Sequence, residues 1–318
     1  MSLRPFHIEG TCRFFFASPE TCAAHVARDW FGPGDYVLVI NDWYVPDHPT
    51  GVEAYRQLAA TRFRRLRILC NSREEQAILN HDFGFPDALT LYCPRHFSHG
   101  LSRATRMLRP AAAPGRPRFD AVLNARSRPY KNHWAAVDVD NLAVIDMLGA
   151  KPEIACRYHN RAPLDLTAVA GVLQQSGVGL ALSFIEGACL ASLEYLLCGL
   201  PVVSTHSRGG RDTWYDDENC IRVGPEDACT RQGACDRRGL CEEVAAAVRH
   251  WCDKLEAGQV DSARIRARAL AVNRRFARRL GREIQRITGD DTGGEAPRND
   301  LRWLPALQPY YAYGAHAR

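Results

Sequence analysis

The sequence predicts an α/β protein built as two parallel-sheet domains that face each other across a cleft. Three observations carry that prediction. Short apolar runs alternate with amphipathic stretches, the rhythm of strand, right-handed crossover helix, strand. The rhythm breaks once, at Arg109 to Arg118 (RPAAAPGRPR), where three prolines and a glycine mark a linker. The chain has 318 residues, 46% of them apolar, more than one core holds, because single cores stop growing near ~250–300 residues.

In the first domain Arg13 to Phe16, Tyr36 to Asn41, Leu66 to Asn71 and Ala88 to Tyr92 read as strands, each apolar on both faces as a covered parallel strand is. Between them PETCAAHVARDW opens with proline at a favourable first-turn position, and GVEAYRQLAATRF and SREEQAILNHDF have helical spacing. Ser72, followed three residues later by Glu75, has the form of a capping box. In the second domain the strands are Phe119 to Asn124, Asn141 to Asp146, Val178 to Ser183, Pro201 to Ser204 and Cys220 to Val223. Helical stretches LDLTAVAGVLQQ, GACLASLEYLLC and CEEVAAAVRHWC separate several of them. A last long helix, about Asp261 to Thr288, sets Ile265, Val272, Phe276, Leu280, Ile284 and Ile287 on one stripe and arginines elsewhere. Its arginine face reads first as solvated, with anionic lipid or glycan as the alternative contact. The stretch DDTGGEAPRND that follows is flexible in composition, whereas LRWLPALQPYYAY is too aromatic to stay in water and is expected to pack back across the first domain. The resulting division is 1–115, 116–290 and a tail, 291–318.

The formal charge of +5 suits anionic small molecules and falls short of a nucleic-acid-binding signature. Arginine supplies nearly all the positive charge; lysine is confined to Lys131, Lys151 and Lys254. The start MSLRPFHIEG has no apolar signal region, and no apolar run reaches the ~20 residues of a membrane span. The expected location is therefore cytoplasmic, with peripheral contact at the inner face of the membrane left open. Most of the twelve cysteines lie in apolar stretches as small core residues, among them Cys70, Cys93, Cys189 and Cys198. Cys229, Cys235 and Cys241 are too widely spaced for a structural zinc site, so no metal is expected.

In open parallel sheets ligands bind beyond the carboxyl ends of the strands, which directs attention to two loops. Arg126 and Lys131 stand in the loop after the first strand of the second domain, where two cations can clasp a diphosphate and neutralise a leaving group. Further on, Glu186 sits in a turn and Glu194 on the next helix. Eight residues apart, about 12 Å if helical, they cannot share a proton and are better suited to two ends of one extended ligand. Gly187, Ala188, Cys189 and Leu190 would turn backbone N–H groups toward polar ligand atoms. In the first domain Asn41, Asp42 and Trp43 end a buried strand. There a tryptophan can stack on a sugar and the polar pair can bind hydroxyls, or Asp42 can cap a turn and Trp43 can be core. His96 and His133 near loop mouths read as structural residues.

Together these segments resemble the retaining glycosyltransferases of the GT-B fold, specifically the large family 4 group. Ala125, Arg126, Pro129 and Lys131 are similar to that family's glycine, arginine, proline and lysine, with alanine in place of the glycine. Glu186 and Glu194 resemble its Glu-x7-Glu signature, Cys198 to Val203 (CGLPVV) its following strand entry, and Gly209 with Gly210 its paired glycine. The resemblance spans mainly Phe119 to Val223. It implies two Rossmann-like domains, the first one shortened. It also implies a nucleotide-diphosphate sugar as donor, a glycan or lipid-linked acceptor, transfer with retention, and no metal or other cofactor. Arg126 and Lys131 would then hold the diphosphate, Glu194 the ribose, and Glu186 with the amides of 187–190 the transferred sugar. Where the family often has proline and glutamate after its paired glycine, this chain has Arg211 and Asp212. Two other readings stay open: a nucleotide-sugar epimerase or hydrolase of the same fold, and a non-catalytic subunit that binds nucleotide sugar or glycan in an assembly complex.

Overall fold

A computed structural model of the chain describes residues 4–5, 7–9, 11–41, 44–101, 106–112, 116–226 and 236–288. Asp42, Trp43, Cys229, Cys235 and the segment 291–318 lie outside the described residues.

The first half holds β1 (His7–Glu9), β2 (Cys12–Ala17), α1 (Pro19–Val26), β3 (Asp35–Ile40), α2 (Pro49–Ala60), β4 (Leu66–Cys70), α3 (Arg73–His81) and β5 (Thr90–Tyr92). They form one sheet in the order β1-β2-β3-β4-β5, parallel except for β1, which pairs antiparallel with β2 as a short edge that the sequence pattern does not announce. Local signals explain the helix starts. The Ser18 hydroxyl accepts from Thr21 N–H with Pro19 in the first turn. The Ser72 hydroxyl accepts from Glu75 N–H at 3.0 Å, while the Glu75 carboxyl reaches back to Asn71 N–H at 2.5 Å, one residue further than in the usual capping box.

Because β2 to β5 add in one direction, right-handed crossovers put α1, α2 and α3 on the same face. There Phe15, Val37, Val39, Ile68 and Cys70 pack with Cys22, Tyr55, Leu58 and Leu79. Alternation sends Phe14, Phe16, Leu38, Leu69 and Leu91 to the other face, where Phe97 of the 3-10 helix Arg95–Leu101 covers part of it. The rest of the cover arrives from later in the chain, as described below.

The second half runs through β6 (Phe119–Asn124), β7 (Leu142–Ile145), β8 (Tyr158–His159), α4 (Leu166–Leu173), β9 (Ser176–Ala181), β10 (Ile185–Glu186), α5 (Leu190–Leu197), β11 (Val202–Thr205), β12 (Arg208–Gly209), β13 (Cys220–Val223), α6 (Arg237–Glu256) and α7 (Ser262–Thr288). Its main sheet is wholly parallel in the order β13-β11-β9-β6-β7-β8. The chain leaves β6 in one direction and returns at β9 in the other, so the strand order reverses between β6 and β9. That reversal opens a crevice at their carboxyl ends. Leucines and valines of α4 and α5 cover one face of this sheet, and α6 covers the other through Val244, Val248 and Trp251.

Helix α7 serves both halves. Ile265 and Ala269 join the core of the second sheet; Phe276, Ala277, Leu280 and Ile284 close the bare face of the first. Polar clamps fix it at its middle and near its carboxyl end. Trp214 Nε1 donates to Asn273 Oδ1 at 2.7 Å in a buried site, and the Arg67 guanidinium pairs with Glu283.

Candidate functional site

The site grows from the crevice between β6 and β9. Asn124, the last residue of β6, donates through Nδ2 to Glu194 Oε2 at 2.8 Å, and its N–H donates to the Tyr195 hydroxyl at 2.6 Å. The loop that follows is shaped by Asp146 at the end of β7. Its buried carboxylate accepts from the N–H groups of Ser127, Leu148 at 2.7 Å and Ala150 at 3.2 Å. Asn132 adopts a left-handed conformation (φ 51°) and donates from Nδ2 to Leu182 O at 2.9 Å, which turns the chain so that Lys131 points back over the sheet. His133 is buried beside it, and burial lowers its pKa.

Lys131 and Glu186, 55 residues apart in sequence, meet here. The ammonium donates to Glu186 Oε1, with side-chain exposures of only 15% and 9%. Burial pulls the Lys131 pKa down, but Glu186, with lesser help from Cys189 and Tyr130, more than offsets it, and the net direction is upward. Glu186 is not in an open turn. It lies on β10, which pairs in parallel with β12, and its Oε1 also accepts from the Ser183 hydroxyl at 2.6 Å.

Beneath this pair lies a residue that residue-type reasoning does not place inside. Arg211 is fully buried. Its Nη1 donates to the carbonyl and, at 3.2 Å, to the hydroxyl of Ser183. Its Nη2 donates to Thr205 O, and Nε to Asp212 Oδ1 at 3.2 Å. The guanidinium therefore ties the chain leaving β9 to the end of β11. Burial lowers its pKa and Asp212, with lesser anionic neighbours, raises it above the ordinary arginine value. Arg211 and Asp212 thus form a compensated pair, the arginine fully buried and the carboxylate a quarter exposed.

The paired glycine has a steric reason. Gly209 sits at φ 100°, and a Cβ there would lie 1.7 Å from Glu186 O; one on Gly210 would lie 2.5 Å from Asn71 Cβ, Asn71 O and Gly187 O. At this point the two halves touch. Arg208 Nε donates to Glu74 Oε1 at 2.8 Å, and its guanidinium also lies 5.1 Å over the Tyr44 ring. Tyr92 and Thr213 hydroxyls meet at 3.2 Å.

The remaining expected residues are distributed unevenly. Arg126 is exposed at the loop mouth, Ala188 and Leu190 are half-buried, and Gly187 and Cys189 are buried. Helix α5 starts only at Leu190, so Gly187 to Cys189 form a turn; the Gly187 carbonyl accepts from Gly210 N–H at 2.8 Å. Burial pushes the Cys189 thiol pKa up. Glu194 is 1% exposed and held by Asn124, and across the cleft His99 Nε2 approaches Oε1 to 3.3 Å. Asn41 is buried, with its amide donating to Glu75 Oε1 at 3.2 Å, and so does not present that amide to the cleft. Reasoning from residue type missed Ser183, His99 and Asp146 as well as the burial of Arg211. Asn124, Asp146 and Ser183 share one readable signal, a polar residue at the carboxyl end of an apolar run. Among the described residues no cluster of three metal-ligating side chains occurs, and no helix is long and apolar enough to cross a membrane.

No family model matches the chain, and no curated protein sequence matches it. Solved structures do match its shape. HepE of Anabaena in complex with UDP is similar over 83% of this chain and 78% of its own, at TM-score 0.53 and 15% identity. Sucrose-phosphate synthase of Thermosynechococcus elongatus is similar over 87% and 74%, at TM-score 0.62 and 14% identity. The pneumococcal O-GlcNAc transferase GtfA in complex with UDP and GlcNAc is similar at TM-score 0.54 and 13% identity, over 82% of this chain but only 53% of its own. The crevice between β6 and β9, the two facing parallel sheets and these likenesses lead to one conclusion about architecture: the chain has the GT-B fold of glycosyltransferases.

Proposed function

We propose that the protein transfers a sugar from a nucleotide-diphosphate sugar to a glycan or lipid-linked acceptor, with retention of configuration and in the manner of family 4. The observation that carries this reading is the Lys131–Glu186 pair at the β6/β9 crevice. It joins a cation suited to phosphate and a carboxylate suited to sugar hydroxyls at the place where such sheets bind ligands. HepE and GtfA, of the same fold, were solved with UDP; that ligand class is taken over here as part of the proposal.

The chemistry follows from the residues. Lys131 and the exposed Arg126 offset the charge that grows on the diphosphate as the bond from the anomeric carbon to the β-phosphate oxygen breaks. The acceptor oxygen forms its bond to the anomeric carbon on the same face, and its proton passes to the departing phosphate oxygen. A nucleoside diphosphate and a glycoside result. The two cations supply the electrostatic help, so the reading needs no metal. Glu186 would take sugar hydroxyls. Glu194 would reach the ribose only after His99, whose Nε2 lies 3.3 Å from Oε1, moves aside.

The test is thermal stabilisation by UDP, GDP, ADP, TDP and CMP, since ligand at about 100 times its dissociation constant adds ~2.7 kcal/mol. A shift with one nucleotide, lost in Lys131→Ala, and a turnover loss on the order of 10²-fold in Arg126→Ala are expected. Absence of a shift with every nucleotide overturns the reading.

A further inference from the structure

Two arginines from different elements converge on one aromatic ring at the edge of the cleft. The Arg73 guanidinium, at the start of α3, lies 4.9 Å from the centre of the Tyr92 ring, and that of Arg279, on α7, lies 6.0 Å from it. Phe276 braces the ring edge to face at 5.2 Å, and the Tyr92 hydroxyl meets Thr213 of the second half at 3.2 Å. Thr213 Oγ1 lies 3.5 Å from Asn71 O, and Asn71 packs on Gly210, whose N–H donates to Glu186 O at 3.2 Å. The cluster therefore sits at the carboxyl ends of β4 and β5, one seam away from the Lys131–Glu186 pair.

These cations are in excess. Helices α3 and α7 carry three carboxylates, and each is taken: Glu74 by Arg208 and Tyr44, Glu75 by the Asn41 amide and Asn71 N–H, and Glu283 by Arg67 and Arg286. Arg73 donates to the neutral Gln76 Oε1 at 3.0 Å, and neither it, Arg279 nor Arg282 forms an ion pair with another described residue. Arg73 and Arg282 are exposed, but Arg279 is half-buried. Burial first and Arg73 second lower the Arg279 pKa, with a smaller push from Arg282 against the opposing influence of Cys93 and Tyr92. A guanidinium that has given up part of its water beside another of like charge gains most from an anion.

We propose that Arg73 and Arg279 bind a phosphate group carried by the sugar acceptor, an inference that rests on the transferase reading above. Phosphate fits better than carboxylate. One guanidinium fork satisfies both oxygens of a carboxylate, whereas a phosphate monoester has a third oxygen for a second fork and about two negative charges to match two cations. Tyr92 supplies the flat face over which both side chains lie, which limits the freedom they lose on binding. The donor diphosphate is already matched by Lys131 and Arg126 in the second half, so this site serves the molecule bound against the first.

Calorimetric titration of glucose 6-phosphate into the full chain, with glucose and glucuronate as comparisons, tests the inference. Binding of the phosphate ester alone is expected. The double variant Arg73→Gln/Arg279→Gln should weaken it by about tenfold or more, the worth of one charge-assisted hydrogen bond, while its melting temperature holds or rises because like charges have been parted. Arg73→Gln alone, at an exposed position, should weaken it severalfold. Lys131→Ala should leave this binding in place, and so should a saturating nucleotide, because the donor and acceptor occupy separate sites. The inference is overturned by glucose 6-phosphate binding no better than glucose, by equal affinity for glucuronate, or by unchanged affinity in the glutamine variants. Loss of binding in Lys131→Ala or under saturating nucleotide also overturns it, by placing the phosphate at the donor site. Failure of every nucleotide to bind refutes the transferase reading and leaves the sugar-phosphate result standing, so the two failures are distinguishable.

Discussion

Replacing Glu186 by glutamine should tighten, not weaken, the binding of UDP. In the free protein the Lys131 ammonium is held by the Glu186 carboxylate, so a phosphate that needs Lys131 must first compete with that carboxylate. The pair is shielded, at 15% and 9% exposure, and a charged hydrogen bond of this kind contributes about 1.5–3 kcal/mol. Glutamine keeps one neutral acceptor for Lys131, worth roughly half as much. The difference, on the order of 1–1.5 kcal/mol, corresponds to about tenfold in dissociation constant. Calorimetric titration of UDP into wild type, Glu186→Gln and Lys131→Ala reads it directly, with the lysine variant weaker and the glutamine variant tighter. Turnover of the sugar donor should nonetheless fall in Glu186→Gln, because the charged acceptor for sugar hydroxyls is gone. If the glutamine variant binds UDP no better than wild type, the competition argument is wrong even where the nucleotide site itself is right.

Two stability predictions follow from buried charge. Arg211→Met should cost about 1–3 kcal/mol, because it removes charged donors from the carbonyls of Ser183 and Thr205, which keep only the hydroxyls of Thr205 and Ser204, and leaves Asp212 with Arg222 alone; urea unfolding checks it, and a loss near zero would refute the clamp. Burial pushes the Glu75 carboxyl up to about 8, with the amide hydrogen bonds of Asn71 and Asn41 pulling the other way and Glu74 adding to the rise. Unfolded, the group titrates near 4.5, so between these values the native state binds the extra proton. Stability should therefore be full below the lower value and fall as pH rises toward 8, by about 1.4 kcal/mol per unit. Glu75→Gln should flatten that slope in urea midpoints measured from acid to mildly alkaline pH, and an unchanged slope would show that Glu75 does not set it.

Much of this molecule is legible in the sequence because buried parallel strands are continuous apolar runs. The ends of β3, β4, β6 and β7 fall within a residue or two of the expected positions. The two-residue ribbon of β10 with β12 is not legible, since two residues carry no periodicity; with it went the fact that Glu186 sits on a strand. Arg126, Lys131 and Glu186 stand out by residue type and loop position, but no local pattern shows that Lys131 grips Glu186 rather than solvent. Arg211 was legible only as a departure from a resemblance. Its burial depends on Ser183 and Thr205 offering oxygens from two different strands, a relation visible only in three dimensions. The stripe on α7 predicts that the helix is buried, yet a stripe does not name its partners, and this one is shared between two sheets.

That sharing has a consequence for how the protein is made. During synthesis Phe14, Phe16, Leu38, Leu69 and Leu91 emerge first, and Phe276, Leu280 and Ile284, which complete their cover, emerge much later. Roughly 180 residues separate the two groups, and at about 5–20 residues per second the ribosome takes on the order of 10–40 s to supply the missing helix. For that interval the nascent first half exposes an aromatic sheet face, a natural substrate for a ribosome-associated chaperone. The first half completes its packing only after the second has been translated.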